Sequence, residues 1–286
     1  MKKIGFIDYY ISEWHANNYP KWIGEACEAL GADYKVAYAW AELDVSPKYG
    51  ETTAEWCEKF GAEKCDTIEE LCEKSDVIVI LAPSDPEKHL GYAEKVLKYG
   101  KRTYIDKTFA PTYAEAKKIF NIAKKYNTPF FSSSALRYGE ELATEFDCRE
   151  AIITGSGSNL PEYIVHQTEM VVKKLGLGAT QVKTEQYGAQ TYVHVAYDDD
   201  RQATIIFAPS MPYTAYMYGG EGTKPVYKAV KSAFFVNLIT DMVRFFEDGT
   251  VSFDTNETLE VMKIREGAIR ALETAGEWLD LSELEK

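Results

Sequence analysis

The amino-acid sequence predicts an α/β chain: an N-terminal Rossmann-type, doubly wound parallel sheet, followed by an α+β domain with a mainly antiparallel sheet. Two observations predict this fold class. Strand-like and helix-like segments alternate through the first half of the 286-residue chain, which is typical of parallel βαβ units. Beyond about residue 135, short strand-like segments follow one another and are separated by polar turns such as Asp198 to Asp200, which indicates antiparallel pairing. We therefore predict two domains, residues 1–135 and 136–286.

The elements of the first half are predicted from apolar runs and from residues that end helices. Asp76 is followed by an unbroken apolar run to Ala82, which is typical of a parallel strand buried on both faces. Helical patterns stop at Gly31, Gly61 and Gly100, because glycine readily adopts the left-handed conformation that closes a helix. The predicted strands are 4–8, 34–40, 76–82, 102–106 and 129–132, and the predicted helices are 18–30, 53–60, 68–74, 86–99 and 112–126.

The second half is predicted from amphipathic and alternating patterns. Its helices are predicted at 139–146, 162–175, 232–246 and 256–279, and its strands at 150–154, 182–186, 191–197 and 203–207.

Composition narrows the class of protein. The formal net charge of −13 argues against a general nucleic-acid binder, which needs a basic face. No stretch approaches the roughly 20 apolar residues that cross a bilayer, and the N-terminus lacks a signal-peptide pattern, so we expect a cytoplasmic protein. The five cysteines are odd in number and form no CxxC pair, so we predict neither a disulfide framework nor a metal site.

Lys107 ends the stretch Tyr104-Ile105-Asp106-Lys107, at the predicted carboxyl end of a strand. Ligands of open α/β sheets bind at that edge, and an ammonium there can polarise a substrate oxygen while a carboxylate or imidazole accepts a proton. Glu162 and His166 are four residues apart on a predicted helix, so their side chains share one face. The alternative for each is a surface pair without a function.

Three segments occur in an order typical of one known family. A buried strand, the turn Ala82-Pro83 and a helix with His89 precede the stretch that ends at Lys107. The run Leu160-Pro161-Glu162-Tyr163-Ile164-Val165-His166 follows, and the two last helices are joined by Phe246-Glu247-Asp248-Gly249. Together these segments resemble the Gfo/Idh/MocA family, named for glucose–fructose oxidoreductase, inositol dehydrogenase and a rhizopine-catabolism protein.

The resemblance implies an NAD- or NADP-dependent oxidoreductase that acts on a sugar, a polyol or a related carbonyl compound. It implies a small-molecule substrate and a homo-oligomer formed through the open face of the second sheet. The implied catalytic residues are Lys107, His166 and Glu162. The implied cofactor-binding residues are Asp8, Tyr10, Ala82, Pro83, His89, Asp106 and Lys107, and the implied substrate-binding residues are Arg137, Tyr138 and Glu169. Arg137 has a structural salt bridge as its alternative role.

The first loop departs from the family pattern. A GxGxxG sequence should follow the first strand, because glycines there let the pyrophosphate approach the backbone. Residues 8–13 instead read Asp-Tyr-Tyr-Ile-Ser-Glu, so the three glycine positions carry side chains and two of these are acids. Three hypotheses therefore stay open: a divergent NAD(P)-dependent oxidoreductase, a sugar or metabolite sensor without the dinucleotide, and a cofactor-independent isomerase or lyase that acts on a sugar acid.

Overall fold

The fold is that of a computed structural model, which describes residues 1–274 and 276–286. The chain forms two compact units. The first unit comprises Met1–Pro111, Glu115–Ser132 and Leu238–Phe253, and the second comprises Thr112–Ala114, Ser133–Asn237 and Asp254–Lys286. The division predicted between residues 135 and 136 stays a prediction.

A parallel sheet organises the first unit. Its strands are β1 Lys2–Asp8, β2 Tyr34–Ala41, β3 Glu63–Lys64, β4 Val77–Ile80, β5 Thr103–Ile105 and β6 Phe130–Phe131. Within the described residues these form a six-stranded sheet in the order β3-β2-β1-β4-β5-β6, and every pair is parallel. The strand order reverses direction between β1 and β4, which is the topological switch point of a Rossmann-type sheet. The predicted fold class of this half is confirmed.

The helices between these strands start and stop at residues that satisfy the backbone. They are α1 Trp14–Leu30, α2 Thr53–Phe60, α3 Ile68–Lys74, α4 His89–Val96 and α5 Tyr113–Tyr126. Thr52 and Glu55 form a capping box at the start of α2, and Gly61 ends this helix in the left-handed conformation with φ 67°. Because such caps satisfy amides and carbonyls that a helix end leaves unpaired, α2 and α3 have their predicted bounds.

Two helices of the first half differ from the prediction. Helix α1 begins at Trp14, four residues before the predicted start, because the Glu13 side chain caps it. Pro20 lies inside this helix, although its ring supplies no amide hydrogen. The predicted helix 86–99 is divided, since short 3-10 turns at Pro86–Lys88 and Leu97–Tyr99 flank the α-helical part.

The segment Leu238–Phe253 completes the packing of the first unit. The Tyr34 hydroxyl donates a hydrogen bond to the Phe246 carbonyl oxygen at 2.8 Å, and Nη1 of Arg102 donates to the same oxygen at 2.6 Å. The rings of Phe131 and Phe245 meet edge to face with centroids 5.1 Å apart. Strands β2 and β6 are therefore fastened to a segment more than a hundred residues further along the chain.

A mixed sheet organises the second unit. Its strands are β7 Glu150–Gly155, β8 Ala179–Tyr187, β9 Gln190–Tyr197, β10 Gln202–Phe207, β11 Thr214–Tyr218, β12 Val226–Ala229 and β13 Trp278–Asp280. In the described part of the chain their order is β12-β11-β7-β10-β9-β8-β13. The pair β7–β10 is parallel and the remaining pairs are antiparallel. The prediction of a mainly antiparallel second sheet is confirmed, although β11, β12 and β13 had no counterpart in it.

The second half of the chain contains three longer helices: α6 Leu160–Leu175, α7 Phe234–Asp248 and α8 Asn256–Arg270. Most of α7 belongs to the first unit. Helix α6 packs against β7, β10 and α8, and α8 also packs against β8. The Asn159 side chain caps α6 by accepting a hydrogen bond from the Glu162 amide at 2.8 Å. One face of each of helices α6 and α8 is consequently buried in the core of the unit.

Two predicted helices of the second half differ from the structure. Residues 139–146 contain a 3-10 turn at Glu140–Leu142 that follows another at Ala135–Tyr138. Lys174 of α6 donates to the Leu142 carbonyl oxygen at 2.8 Å, which replaces an intrahelical bond. The predicted helix 256–279 ends at Arg270, because Trp278–Asp280 pairs with β8 instead. Residue 275 of that prediction lies outside the described residues.

Two further observations concern membranes and thiols. Over the described ranges, no helix combines the length and hydropathy needed to span a bilayer. The thiols of the five cysteines are all buried and none is joined in a disulfide. Burial raises the pKa of Cys57 and Cys65 to about 11 and that of Cys72 to about 12.

Candidate active site

Asp106 and Lys107 directly follow β5, at the carboxyl edge of the parallel sheet. Oδ1 of Asp106 accepts a hydrogen bond from the Lys107 amide at 2.7 Å and another from the Tyr104 hydroxyl at 3.3 Å. The Ser132 hydroxyl donates to the Asp106 carbonyl oxygen at 3.2 Å. Both residues are buried. The position predicted for Lys107 from the strand pattern is the position that the structure shows.

His15 lies in the first turn of α1 and pairs with Asp106. Its Nδ1 is hydrogen bonded to Oδ2 of Asp106, and the hydroxyl of Tyr19 lies 3.1 Å from the same nitrogen. The Tyr19 ring stacks on the imidazole with centroids 5.1 Å apart. Because an ionised carboxylate can only accept a hydrogen bond, we assign the imidazole proton to Nδ1.

Each member of this pair shifts the pKa of the other. Burial opposes charge on the His15 imidazole, but the Asp106 charge and hydrogen bond outweigh burial, and the pKa of His15 is raised. Burial alone would raise the pKa of Asp106, but His15 and the Lys107 amide hold it below its usual range. An imidazole held in one tautomer by a buried carboxylate is suited to proton transfer.

Two more carboxyl groups lie at this edge. Oδ1 of Asp8 accepts from the amides of Tyr9 at 2.7 Å and Ala82 at 3.0 Å. Oδ2 of Asp8 is buried and has no hydrogen-bond partner among the described residues. Burial, and next the charge of Glu13, raise the pKa of Asp8 well above its usual range. Burial also raises the pKa of Glu13, although His15 acts in the opposite direction.

Two residues at the strand ends have left-handed backbone conformations. Ala82 follows β4 with φ 63°, and Thr108 follows Lys107 with φ 51°. This region is unfavourable for a side chain with a Cβ, and most of all for a β-branched one. Strain of this kind costs on the order of 1–3 kcal/mol and concentrates at functional sites, which agrees with a site at this edge.

His89, another residue predicted to bind a cofactor, has structural contacts. His89 is fully buried, and its ring nitrogens lie 2.6 Å from the Leu81 oxygen and 3.0 Å from the Phe109 oxygen. Burial lowers the pKa of His89. Pro83 is buried, whereas Tyr10 is half-buried. His89 therefore joins the turn after β4 to the loop after β5.

The residues predicted to bind substrate lie in the second unit, where Arg137 is enclosed by carboxylates. Its Nε is hydrogen bonded to Oε1 of Glu169, and its Nη2 lies 2.7 Å from Oε2 of Glu257. Glu169 also accepts from the Ser133 hydroxyl at 3.1 Å. The carbonyl oxygen of Tyr138 accepts from the Asn237 side chain at 3.1 Å. These contacts match the structural salt bridge that was the alternative role of Arg137.

The two catalytic residues predicted on α6 also have defined partners. Nδ1 of His166 lies 2.7 Å from the Ser134 hydroxyl. Oε2 of Glu162 accepts from the Asn159 side chain at 3.1 Å, so it supports the cap of α6. His166 and Glu162 are half-buried. Their predicted catalytic roles stay predictions.

The described residues do not fit a dinucleotide at the β1–α1 loop. Pyrophosphate binding in such a fold needs unoccupied amides at the helix N-terminus and close access to the backbone. Here the Glu13 carboxylate accepts from the His15 amide at 2.8 Å and from the Ala16 amide. Asp8 spans from β1 to the residue after β4. Nor does the described part of the chain contain a cluster of three or more His, Cys, Asp or Glu side chains that could hold a metal ion.

Known proteins resemble part of this chain in sequence and the whole chain in fold. Residues 41–133 match the family model GFO_IDH_MocA, described as an oxidoreductase family with an NAD-binding Rossmann fold. An uncharacterized oxidoreductase of Schizosaccharomyces pombe, C26H5.09c, is 29% identical over 83 residues, which is 29% of this chain and 22% of that protein. The chain thus aligns with less than a quarter of the length of this curated relative.

Two solved structures share the fold at low identity. A protein of Thermotoga maritima described as a "probable dehydrogenase" has a TM-score of 0.81 at 12% identity and covers 99% of each chain. The UDP-N-acetylglucosamine 3-dehydrogenase GnnA of Acidithiobacillus ferrooxidans has a TM-score of 0.75 at 11% identity and covers 95% of this chain and 98% of its own. The chain therefore has the fold of Rossmann-type dehydrogenases. The match over residues 41–133 confirms the predicted resemblance to the Gfo/Idh/MocA family for that part of the chain.

His15 was not among the site residues predicted from the sequence. Because the helix was predicted to start at Asn18, His15 was placed in a loop and the direction of its side chain could not be predicted. An acid at position 13 and a histidine two residues later, directly after a strand, were the available signals. The Glu13 side chain caps α1, and placing it as the cap would have put His15 in the first turn at the sheet edge.

Proposed function

We propose that this chain is an enzyme that transfers a proton at a hydroxyl-bearing carbon next to a carbonyl group, in a small polyhydroxylated compound such as a sugar. The observation that carries the proposal is the buried pair of His15 and Asp106, with Lys107 next along the chain. An imidazole oriented by a buried carboxylate is a recurrent general base.

Each of the three residues has a distinct part. Asp106 holds a proton on Nδ1 of His15, so Nε2 is the nitrogen that exchanges a proton with the substrate. The ammonium of Lys107 stabilises the negative charge that develops on a substrate oxygen when a neighbouring carbon loses its proton. If that proton is delivered to the former carbonyl carbon while the hydroxyl proton moves to the former carbonyl oxygen, the substrate is isomerised and no electrons leave it.

The class of substrate is proposed from likeness. The family resemblance implies sugars, polyols or related carbonyl compounds, and the name of the Acidithiobacillus ferrooxidans protein specifies a sugar nucleotide as its substrate. A compound with adjacent hydroxyl and carbonyl groups suits the site, since such a carbon has the acidity that a histidine base can exploit.

NAD(P)-linked oxidation of the same class of compound is the second candidate, and it is the one that the matched family favours. The family is described as NAD-binding, and residues 41–133 include Asp106 and Lys107. Such an oxidation needs a hydride acceptor in addition to the acid–base residues. Because the β1–α1 loop does not fit the pyrophosphate, the roles proposed for His15, Asp106 and Lys107 involve proton transfer and charge stabilisation alone.

The proposal is tested by hydrogen exchange at carbon. The full chain is incubated in D2O with a panel of aldoses, ketoses, polyols and sugar acids without nucleotide, and deuterium at carbon is followed by NMR. We expect exchange with at least one compound, and a loss of roughly 10²-fold or more in His15→Gln, the usual scale for a general base. His194→Gln is the matched control, because this half-buried histidine of β9 contacts Thr204 in the second unit.

A parallel arm adds NAD or NADP and follows the absorbance of the reduced nicotinamide. Exchange without nucleotide supports isomerisation, and nucleotide reduction supports oxidation. Absence of both across the panel, in a protein shown to be folded, would overturn the proposal of an enzyme and leave the sensor hypothesis.

We propose the predicted domain division and a cytoplasmic location, on the basis of the segment pattern and the composition. We also propose a homo-oligomer formed through the outer face of the second sheet, where Ile152 of β7 is exposed. Analytical ultracentrifugation of the purified chain tests the oligomer directly.

A further inference from the structure

The β1–α1 loop and the switch point are occupied by this chain's own carboxyl groups. In a Rossmann-type sheet, the amides at the start of the first helix and the crevice between the two central strands are the places where phosphate groups bind. Glu13 accepts from two amides at the start of α1, and Asp8 accepts from amides after β1 and after β4.

We propose that Glu13 and Asp8 are permanent internal substitutes for the phosphate groups of a dinucleotide, so that this chain binds neither NAD nor NADP in that crevice. The three glycine positions of the usual loop correspond to Asp8, Tyr10 and Glu13. A carboxylate that accepts the amide hydrogens satisfies the helix end as a phosphate would. It then leaves its bulk in the path of an incoming phosphate and occupies the amides that the phosphate would use.

The surroundings fix both carboxyl groups in these positions. The main chain of the loop is held to the segment after β2, since the Leu43 amide donates to the Tyr9 oxygen at 2.7 Å and the Ser46 hydroxyl donates to the Ser12 oxygen at 2.7 Å. Ser12 also donates to Glu51 at 2.6 Å. Ile11 and Ser12 of the loop are buried as well. The loop would have to move for the crevice to open, and this movement would break the hydrogen bonds described above.

The end of the crevice where a ribose would bind also contains an acid that is paired within this chain. Rossmann-type proteins hold a ribose hydroxyl with an acid near the end of the second strand. Here Glu42 follows β2, and its carboxylate lies 2.6 Å from Nζ of Lys88 and accepts from the Tyr92 hydroxyl at 2.8 Å. The acids at both ends of the crevice therefore have hydrogen-bond partners within the chain.

If the crevice excludes the dinucleotide, the proposed function is isomerisation and not NAD(P)-linked oxidation. The exclusion rests on the proposed function only for this choice, because it involves different residues from the proton transfer. The proposed hydrogen exchange depends on His15 and Asp106, whereas the proposed exclusion of the dinucleotide depends on Glu13 and Asp8. Saturable dinucleotide binding would overturn the proposed exclusion of the dinucleotide alone. Absence of both exchange and nucleotide reduction would overturn the proposed enzyme alone.

The test is a titration of the full chain with NADH and NADPH, followed by nicotinamide fluorescence and by calorimetry. We expect no saturation of the wild type up to about 1 mM, the weak end of ordinary affinities. Glu13→Gly restores one of the glycine positions and the double variant Asp8→Gly/Glu13→Gly restores two, and glycine is tolerated as an N-cap. We expect at least a tenfold gain in association constant in the double variant.

Glu25→Gln is the matched control, because Glu25 is an exposed acid of the same helix paired with Lys21 at 3.6 Å. We expect it to behave as the wild type. Saturable binding to the wild type would overturn the proposal. So would a folded double variant that binds no better than the wild type; if the double variant does not fold, the same criterion is applied to Glu13→Gly, with folding verified by circular dichroism.

Discussion

His15 and Asp106 are hydrogen bonded through Nδ1 and Oδ2 although 91 positions separate them in the sequence. The bond joins the first turn of α1 to the end of β5, across the edge of the sheet where ligands of this fold bind. In the proposed reaction, Asp106 positions the imidazole and His15 transfers the proton.

Replacing Asp106 by Asn should alter the pH dependence of exchange as well as its rate. The Asp106 carboxylate stabilises the imidazolium, so its removal lowers the pKa of His15, which is raised in the wild type. The base form is then present at lower pH, and the acidic limb of the rate profile should move toward acid. We expect the maximal rate to fall roughly 10²-fold or more.

The readout is a pH profile of deuterium exchange. Asp33→Asn is the control, since Asp33 is an exposed acid paired with the N-terminus at 2.6 Å. A lower rate with an unmoved acidic limb would contradict the assigned role of Asp106.

Asp8→Asn should stabilise the protein at neutral pH. The pKa of Asp8 is raised in the folded state by burial, so the folded state holds a proton that the unfolded state releases above about pH 4. Stability therefore falls as the pH rises from there through the raised pKa. The Asn side chain is neutral at every pH and retains an oxygen for the Tyr9 and Ala82 amides.

Urea unfolding across the range from about pH 4 to 8 measures the effect. We expect the variant to gain about 1 kcal/mol or more over the wild type at the upper end, since one pKa unit corresponds to about 1.4 kcal/mol. The gap should close toward the lower end. A gap that stays constant with pH would show that Asp8 is not the titrating group.

Arg137→Met should strongly destabilise the second unit. The guanidinium is enclosed by Glu169 and Glu257, and its loss leaves buried carboxylates without a countercharge. Breaking a buried ion pair from one side costs about 3–5 kcal/mol. Arg149→Met is the control, because Arg149 is exposed, and surface substitutions usually stay within about 0.5 kcal/mol. Equal midpoints of the two variants in urea would refute the structural role of Arg137.

Gly5→Ala should destabilise the first unit through packing. A Cβ at Gly5 of β1 would lie 2.4 Å from both Cδ2 of Leu71 and Oγ of Ser75, so α3 would have to move outward. Overpacking of this kind costs about 1–3 kcal/mol. At Gly24 of α1 an added Cβ meets nothing within 4 Å, and Ala there should stabilise the helix by up to about 1 kcal/mol. Thermal unfolding of the pair gives opposite shifts if the packing at β1 is as described.

Structural features that depend on interactions between residues close in the sequence could be predicted from the sequence. The bounds of α2 and α3 follow from caps that lie within a few residues of the helix ends, and the place of Lys107 follows from the buried strands before it. Strand β13 depends on pairing with β8, nearly a hundred residues earlier, and a local helical pattern could not reveal it. His15 was missed for a related reason, since its partner Asp106 lies in another βα unit.

The composition of the first unit has a consequence for synthesis. Leu238–Phe253 supplies the Phe246 oxygen to Tyr34 and Arg102 and the Phe245 ring to Phe131. A ribosome releases this segment only after the residues 133–237 of the second unit have emerged. During synthesis, the parallel sheet is therefore exposed on the side where Phe131 later packs against Phe245. Exposed apolar surface of this kind favours chaperone binding and aggregation.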